Sequence, residues 1–294
     1  MRGSGAGRVT PLQVVATVGS TKRAGAYHHL TLVAPGVAER VRPGSFVALA
    51  VGGEHSAMLL RRSFSVFRAS AGGLSGGTVE VVFAATGKGT QWLAARRPGD
   101  TVDLVGPLGR PFALPKDTVA CTLVGGGYGS APMFALGERL RERGCPVHMV
   151  LGAATDTRLF GVLEARRAAQ SVTVTTEDGS MGVRGRVTDV LPDLLARTSS
   201  DVVYACGPMG MLAAVAAVAE QHGAWSQCAV EESMACGVGI CMTCVLPVVG
   251  DDGITRMLRS CVDGPVFRGD RVRWSEVGTV PMGTLGAPRP DGPP

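Results

Sequence analysis

The pattern of hydrophobic and polar residues divides the chain into regions with different periods. From residue 10 to residue 111, short runs of alternating apolar and polar residues are separated by turns rich in Gly and Pro. Alternation with a period of two is typical of strands that have one buried face. The predicted strands are Leu12–Val18, Tyr27–Val33, Ser45–Val51, Ser63–Arg68, Thr78–Ala84 and Thr101–Val105. This arrangement predicts a small antiparallel β-barrel.

From residue 118 to residue 223, apolar strands alternate with amphipathic or Ala-rich helices. The predicted strands are Val119–Val124, Val147–Leu151, Val172–Thr176 and, as the last one, Val202–Cys206; the predicted helices are Ser130–Arg143, Arg158–Ala168, Val187–Ala196 and Pro208–His222. Such alternation predicts a parallel sheet covered by helices on both faces, as in nucleotide-binding domains. Residues 224–275 then form a small separate segment, and the end of the chain, 276–294, is expected to be a flexible tail.

Composition narrows the function classes. The chain has 294 residues, of which 45% are hydrophobic and 18% charged, which leaves room for two domains. The formal charge of +5 is spread along the chain without a basic run, so nucleic-acid binding is not expected. No apolar stretch approaches the roughly 20 residues of a membrane span. The N-terminus has no secretion signal, so we expect a cytoplasmic protein that does not bind membranes.

Four cysteines near the C-terminus are the most specific motif. They are Cys236, Cys241, Cys244 and Cys261. The first three follow Cys-x4-Cys-x2-Cys, the spacing by which plant-type ferredoxins ligate a 2Fe–2S cluster, with a distal fourth thiolate. The alternative is a zinc-stapled binding module without enzymatic activity. Zinc usually takes two Cys-x2-Cys pairs or one pair plus histidines, and His222 is the only nearby histidine. The spacing therefore favours a 2Fe–2S cluster and electron transfer.

Two glycine turns follow predicted strands of the sheet. Gly125, Gly126, Gly127 and Gly129 belong to the first turn, and Cys206, Gly207 and Pro208 to the second. Glycines let the backbone approach a pyrophosphate, and parallel sheets bind ligands at the carboxyl ends of their strands, so both turns are expected at one cleft. Taken alone, the first turn is equally a tight strand-to-helix connection, and Cys206 a small buried side chain.

The barrel carries two further candidate segments. Arg62-Ser63-Phe64-Ser65 offers a guanidinium for phosphate, an aromatic ring for stacking and hydroxyls for hydrogen bonds. Gly87-Lys88-Gly89-Thr90 offers backbone amides and a hydroxyl ahead of a short helix predicted near Gln91–Ala95. By themselves, both segments are also compatible with an ordinary strand and an ordinary turn.

The order of these motifs along the chain resembles that of a known protein superfamily. A barrel with R-S-F-S and G-K-G-T, followed by a sheet with G-G-G-Y-G and C-G-P-M, resembles the ferredoxin–NAD(P) reductase superfamily. The further segment E-E-S-M-A-C-G-V-G-I-C-M-T-C resembles the electron-transfer subunits of NAD-dependent dihydroorotate dehydrogenase. The resemblance covers residues 10–275. It implies a multi-domain β plus α/β protein: an FAD-binding barrel (10–111), an NAD-binding parallel sheet (118–223) and a 2Fe–2S segment (224–275).

The resemblance also implies site residues. FAD contacts are expected from Arg62, Ser63, Phe64, Ser65, Val82, Phe83, Ala84, Gly89 and Thr90, and NAD contacts from the seven residues of the two glycine turns. Close family members have Pro-Ile where this chain has Ser63-Phe64, so Phe64 is expected to act as the ring-stacking aromatic of the wider superfamily. Arg158 and Arg184 do not lie in a basic cluster, which favours NAD over NADP.

The implied function is transfer of electrons from NADH through FAD and the cluster to a separate subunit. By resemblance, that partner is the FMN-containing dihydroorotate dehydrogenase catalytic subunit, in a heterotetramer that serves pyrimidine biosynthesis. No acid–base catalytic residue is expected in this chain, because simple hydride transfer needs none. The alternative function is a reductase for a ferredoxin, sulfur or oxygenase system. One relative, the small subunit of NADH-dependent ferredoxin–NADP reductase, has aspartate in place of one cysteine ligand, and Cys236 argues against it.

Overall fold

The first part of the chain folds into a closed antiparallel barrel. The computed structural model describes residues 10–53, 56–72 and 76–287. The barrel strands are β1 (Leu12–Ala24), β2 (Tyr27–Val33), β3 (Phe46–Leu49), β4 (Arg62–Ser70), β5 (Thr78–Phe83) and β6 (Thr101–Leu108), in the order β1-β2-β5-β4-β3-β6. Alternate residues point inward, so that Leu30, Leu32, Val79 and Val81 are fully buried in the barrel core. The predicted barrel is confirmed.

One short helix, α1 (Lys88–Ala94), follows β5. It begins earlier than the predicted Gln91–Ala95, and Gly89 and Thr90 therefore lie in its first turn. The Thr90 hydroxyl accepts a hydrogen bond from the Gly87 backbone N–H at 3.0 Å. This bond satisfies a backbone group that would otherwise be unpaired at the start of the helix.

The second part is a mostly parallel sheet with helices on both faces. Its strands begin with β7 (Cys121–Gly126), β8 (Val147–Ala153), β9 (Ser171–Thr176), β10 (Val183–Arg184), β11 (Val202–Cys206) and β12 (Trp225–Ala229). Its helices are α2 (Ala131–Glu142), α3 (Val162–Ala168), α4 (Val187–Thr198) and α5 (Met209–Gln221). Leu123 on β7 belongs to the core beneath α2 and α3, whereas its neighbour Val124 belongs to the core beneath α4 and α5. The predicted doubly covered sheet is confirmed.

The last part adds a hairpin and returns to the sheet. The hairpin strands are β13 (Val245–Val249) and β14 (Thr255–Arg259), and β15 (Val266–Arg268) pairs antiparallel with β12. The full sheet order is β10-β9-β8-β7-β11-β12-β15. None of the helices among the described residues is long and apolar enough to cross a membrane.

The prediction that Val202–Cys206 is the last strand is wrong, because the sheet continues beyond residue 223 into β12 and β15. The sequence of β12 hides this strand, since Ser226 and Gln227 are polar although both are buried. The Gln227 amide is satisfied by the chain that connects barrel and sheet: its Nε2 donates to the Ala113 carbonyl at 2.8 Å, and its Oε1 accepts from the Ala113 N–H at 2.9 Å.

Two other expectations differ from the structure. The helix predicted over Arg158–Ala168 is shorter, because a 3-10 turn at Asp156–Arg158 ends before Gly161, whose φ of 75° precedes α3. The segment 276–287, expected to be flexible, contacts the hairpin through a hydrogen bond from the Leu285 N–H to the Thr255 carbonyl at 2.9 Å. The rest of the expected tail, 288–294, lies outside the described residues.

Candidate functional site

A cleft of about 360 Å³ lies between the barrel and the sheet. The predicted residues that line it are Ser63, Phe64, Ser65, Val82, Phe83, Ala84, Thr90 and Gly129. They come from the neighbouring strands β4 and β5, from the start of α1 and from the turn after β7. The structure therefore brings most of the predicted FAD-contacting residues together in one cleft.

Phe64 lies with most of its side chain in the barrel core. Its side chain is only 9% exposed and belongs to the barrel core, with its ring centre 5.3 Å from that of Phe83. Because successive side chains of a strand point to opposite faces, Ser63 and Ser65 point away from that core instead. Ser63, Phe64 and Ser65 nevertheless all line the cleft. The role of Phe64 as a ring-stacking aromatic stays a prediction.

Arg62 and Gly89 do not line the cleft, but they lie next to each other. A Cβ placed on Gly89 would be 3.1 Å from Arg62 Nε and 3.1 Å from Val51 Cγ2. The Arg62 guanidinium donates to the Leu60 carbonyl at 2.7 Å, which holds it beside the start of α1. A guanidinium beside these amides presents positive charge to an anionic group.

A second cavity of about 520 Å³ lies at the carboxyl ends of the parallel strands. Gly126, Gly127 and Pro208 line it from the two predicted glycine turns. The turns touch each other, because a Cβ on Gly129 would be 2.8 Å from the Gly207 Cα and 3.0 Å from its N. The expectation that both turns border one cleft is met by this arrangement, which is where open α/β sheets bind nucleotides.

Three residues of the two turns do not line either cavity. Gly125 lies behind the first turn, where a Cβ would be 2.5 Å from Ser130 Cβ. Gly207 packs against Gly126 and Gly129. Cys206 is 2% exposed, and burial raises the pKa of its thiol well above the usual value. These residues shape the turns and do not line the cavities, and their assignment as direct cofactor contacts stays a prediction.

Tyr128 and Glu231 line both cavities and so mark the place where they meet. Burial raises the pKa of the Tyr128 phenol, and the Glu231 carboxyl adds to the effect. Burial also raises the pKa of Glu231. The Tyr128 ring is 42% exposed and packs edge-on against Tyr27, with ring centres 5.5 Å apart. A group bound in the second cavity therefore reaches the first cavity past these two side chains.

The opposite end of the second cavity contains residues that the sequence did not single out. Thr175 and Glu177 lie at the carboxyl end of β9, and Arg186 and Thr188 lie at the start of α4. Arg158 lines the cavity too, whereas Arg184, the other arginine considered from the sequence, does not. The rule that ligands bind at carboxyl ends of parallel strands was the available signal for Thr175 and Glu177, since both follow the predicted strand Val172–Thr176.

The four cysteines lie in two close pairs. Cys236 lies close to Cys241, and Cys244 Sγ accepts a hydrogen bond from the Cys261 N–H at 3.4 Å. Cys244 and Cys261 are buried against Phe46, Ala48 and Leu108 of the barrel, whereas Cys241 is exposed. The turn between the first two cysteines depends on glycine, because Gly239 has φ of 87° and a Cβ there would be 2.3 Å from Val262 Cγ2.

Backbone and side-chain donors surround the first pair of sulfurs. The Ile240 N–H donates to Cys236 Sγ at 3.3 Å, and the Thr243 hydroxyl donates to Cys241 Sγ at 3.1 Å. Although burial acts to raise it, N–H groups of the loop lower the pKa of Cys236 to about 6, and the Thr243 hydroxyl lowers the pKa of Cys241. These donors stabilise thiolates, the form that binds metal.

The donor set fits a two-iron cluster better than a single ion. A 2Fe–2S cluster needs four thiolates shared between two irons, and two neighbouring pairs of thiols meet that requirement. The loop also contacts the first cleft, because a Cβ on Gly237 would lie 3.4 Å from the Ser63 hydroxyl oxygen.

Two protein-family models match the chain. Residues 231–273 match the iron–sulfur cluster binding domain of dihydroorotate dehydrogenase B. Residues 123–217 match the oxidoreductase NAD-binding domain. The first match contains all four cysteines, and the second contains the glycine turns after β7 and β11.

Similar proteins match over most of the chain. The electron transfer subunit of dihydroorotate dehydrogenase B (NAD(+)) from Geobacillus kaustophilus is 42% identical over 250 residues, which cover 83% of this chain and 92% of that protein. The subunit of the same name from Desulforamulus reducens is 31% identical over 247 residues, covering 84% and 92%.

Solved structures show the same fold. A chain of the NADH-dependent reduced ferredoxin-NADP oxidoreductase, reported in connection with flavin-based electron bifurcation, superposes with a TM-score of 0.77 and 30% identity, covering 90% of this chain and 91% of that one. A ferredoxin NADP+ reductase from Neisseria gonorrhoeae, solved with bound FAD and NADP, superposes with a TM-score of 0.59 at 18% identity, covering 72% and 92%.

Proposed function

The chain belongs to the family of dihydroorotate dehydrogenase B electron transfer subunits, and from this premise we propose that it passes electrons between NAD(H) and a partner flavoprotein in the oxidation of dihydroorotate to orotate. The cofactors of this function are FAD, NAD(H) and a 2Fe–2S cluster. When bound, the flavin exchanges hydride with NAD(H) and single electrons with the cluster. The protein's own role is to bind NAD(H), FAD and the cluster at neighbouring sites.

The first cleft holds FAD in this proposal. Ser63 and Ser65 supply hydroxyls to the flavin, and Val82 of β5 and Ala84, which directly follows β5, form the opposite wall. Thr90 and the first turn of α1 lie where Arg62 adds a positive charge, and we assign the pyrophosphate to this place. Phe64 and Phe83 support the wall from inside the barrel, and Gly89 keeps space open beside Arg62.

The second cavity holds NAD(H). Gly126 and Gly127 let the backbone approach the pyrophosphate, and Arg158 lines the cavity near them, since its carbonyl accepts from the Tyr27 hydroxyl at 2.7 Å. The nicotinamide belongs at the junction lined by Tyr128 and Glu231, because there the cavity meets the first cleft.

Cys236, Cys241, Cys244 and Cys261 are the proposed cluster ligands. The observation that carries the proposal is the contact between their loop and the barrel: Gly237 lies against Ser63 and Ala48, with Cβ approaches of 3.4 and 3.7 Å. This contact brings the cluster loop next to the flavin-contacting strand. The zinc-stapled module considered from the cysteine spacing does not account for such a contact, nor for the paired thiols.

The partner is, in this proposal, the FMN-containing catalytic subunit, in a heterotetramer with two subunits of each kind. Dihydroorotate oxidation needs a base and a second flavin, and the described cavities of this chain are accounted for by FAD and NAD(H). The names of the relatives support a partner subunit, since they are called electron transfer subunits. Eight free cysteines support a reducing compartment, and we propose the cytoplasm.

Reconstitution tests this function. The chain is co-expressed with the FMN-containing subunit, and NAD+ reduction driven by dihydroorotate is measured in the purified complex. We expect turnover together with visible absorbance from flavin and iron–sulfur cluster. A complex that contains FAD, FMN and cluster but does not reduce NAD+ with dihydroorotate would refute the assignment and favour a reductase of another system.

A further inference from the structure

One peptide group of the cysteine loop is held at both ends. It joins Gly239 to Ile240, in the turn that separates Cys236 from Cys241. Its N–H, which belongs to Ile240, donates to Cys236 Sγ at 3.3 Å. Its carbonyl, which belongs to Gly239, accepts from the Arg259 guanidinium Nη1 at 2.8 Å. This single peptide group therefore connects an arginine to a sulfur that the proposed function assigns to the cluster.

Arg259 reaches this peptide from the segment that contains Cys261. It is the last residue of β14, and the tight turn that follows it contains Cys261. The Asp263 carboxylate closes that turn, because its Oδ2 accepts from the Arg259 backbone N–H at 3.1 Å. The Arg259 Nε lies 3.6 Å from the same oxygen, and both side chains are partly buried. Arg259 thus has its backbone in one ligand segment and its guanidinium on the other.

Packing brings the two ligand segments into direct contact at Gly239. A Cβ at this position would be 2.3 Å from Val262 Cγ2 and 3.6 Å from Arg259 Nη1, and φ of Gly239 is 87°. Only a glycine lets the turn lie this close to Val262, which directly follows Cys261. The short distance between the segments is what allows the Arg259 guanidinium to reach the Gly239 carbonyl without a bridging water.

A cation at the carbonyl oxygen of a peptide strengthens the hydrogen bond that its N–H donates. The cation draws electron density toward the oxygen, and hydrogen bonds in a chain polarise one another in this way. A bond from a guanidinium is also stronger than one between neutral groups. Hydrogen bonds to the sulfurs of an iron–sulfur cluster raise its reduction potential, because the reduced form carries one more negative charge. Arg259 is therefore positioned to act on Cys236 Sγ through the peptide.

Two other arginines carry the same charge but make different contacts. Arg110 lies 3.8 Å from Asp263 Oδ1, on the outer side of the same carboxylate, and its side chain is 60% exposed. Arg256 lies on β14, as Arg259 does, but its guanidinium donates to the two oxygens of Asp252 at 2.8 and 2.7 Å. Among the described residues, neither guanidinium donates to the cysteine loop. They therefore separate the effect of a nearby charge from that of a hydrogen bond to the loop.

We propose that Arg259 is a positioning residue for electron transfer: it holds the Gly239–Ile240 peptide so that the Ile240 N–H points at Cys236 Sγ, and through this peptide it raises the reduction potential of the cluster. The inference rests on the proposed function in one respect, that the four cysteines bind the cluster. Arg259 acts on the equilibrium between the oxidised and the reduced cluster, and the electrons themselves come from NAD(H) or the partner as in that function.

Redox titration of the flavin- and cluster-loaded chain, followed by the EPR signal of the reduced cluster, tests this role. In Arg259→Gln, we expect the equilibrium constant for one-electron reduction to fall by about three- to tenfold, the effect of one weakened hydrogen bond. A tenfold fall equals a potential lower by about 59 mV. Amide hydrogen exchange at Ile240 should become faster in the same variant. Arg256→Gln and Arg110→Gln should change the constant by less than about twofold, because solvent screens exposed charges.

Arg259→Lys distinguishes the hydrogen bond from the shape of the side chain. It keeps the charge and a donor, so we expect a constant within about twofold of the original. No change in Arg259→Gln, or an equal fall in Arg110→Gln, would overturn the role. Loss of the cluster in Arg259→Gln alone would support the holding of the loop by Arg259, whereas loss in the two control variants as well would overturn it. Absence of iron and acid-labile sulfide from the unaltered protein would instead refute the proposed function.

Discussion

The nucleotide cavity and the cysteine loop are built in opposite ways. The cavity is framed by the ends of four parallel strands whose residues are paired along their length, and its glycine turns lock against each other at Gly129 and Gly207. The loop from residue 231 to residue 244 contains no helix or strand. Three large apolar side chains of the loop, Val238, Ile240 and Met242, are exposed. Within the loop, the Ile240 backbone N–H donates its hydrogen bond to a sulfur atom, Cys236 Sγ.

This difference separates two sources of order. The cavity is stabilised by the core of the sheet. The loop has little buried apolar surface of its own, so its conformation depends on the bonds between thiolates and metal. Binding of the cluster is therefore coupled to the folding of the loop, whereas binding of NAD(H) is coupled to very little rearrangement of the sheet.

The largest effect is expected from removing one cysteine ligand of the cluster. Cys241→Ser should abolish cluster binding, measured as iron and acid-labile sulfide, and raise amide hydrogen exchange across residues 231–244. Exchange in β7 and β11 should stay unchanged, because both strands belong to the core of the sheet. Cys145→Ala, which changes a buried thiol of the sheet domain, is the control and should retain the cluster. Equal loss of protection in loop and sheet would contradict the separation.

The next effect concerns the glycine turns. In Gly129→Ala, the new Cβ would lie 2.8 Å from Gly207 Cα, and backbone cannot rotate away as a side chain does. We expect the free energy of unfolding to fall by about 1–3 kcal/mol, together with weaker NAD+ binding and a retained cluster. Urea denaturation measures the free energy of unfolding. Gly210→Ala is the control for stability, since nothing lies within 4 Å of its Cβ position.

A smaller effect tests the connection between barrel and sheet. The Tyr204 hydroxyl is buried and donates to the Ala113 carbonyl at 3.0 Å. Because Gln227 donates to the same carbonyl, Tyr204→Phe leaves no unpaired acceptor and should cost about 0.5–1.5 kcal/mol of unfolding free energy. Denaturation by urea measures this change. A loss well above that range would mean that the connecting segment depends on Tyr204 alone.

The smallest effect on the chain itself is expected at Ile240, which is 81% exposed. Ile240→Ser should change the free energy of unfolding by no more than about 0.5 kcal/mol, as is usual for exposed positions. If the loop faces the partner subunit, the same change should weaken the complex, measured by sedimentation or calorimetry. Leu59→Ser, at an exposed barrel residue, should leave the complex unchanged. Equal effects of both changes would contradict an interface at the loop.

The sequence predicts best where burial is periodic. Tyr27–Val33 and Val202–Cys206 were predicted with the bounds that the structure shows, because one alternates and the other is continuously apolar. Strand β12 was missed because its buried Gln227 is satisfied by Ala113, which lies 114 residues away in the chain. The hairpin β13–β14 was not predicted; both of its strands lie in the cysteine-containing segment 224–275.

The candidate site divides in the same way. Motifs local in sequence, such as the cysteine spacing and the glycine turns, identified residues that the structure brings together. Residues that the strand order brings together were not identified. Thr175 and Glu177 share a cavity with Gly126 because only the single strand β8 lies between β9 and β7 in the sheet. The inward direction of Phe64 likewise follows from the strand pairing of β4, which the four-residue motif does not contain.

The central claim is that NAD(H) binds in the second cavity, that the cluster passes electrons to the partner subunit, and that FAD in the first cleft connects the two sites. Rapid-mixing spectroscopy of Cys241→Ser loaded with FAD tests it, followed by the dihydroorotate-driven assay in the complex. We predict that NADH bleaches the flavin at a rate within about threefold of the unaltered protein, because the sheet is intact, while dihydroorotate-driven NAD+ reduction is lost. Turnover that persists without the cluster, or a bound flavin that NADH no longer reduces, would contradict the account.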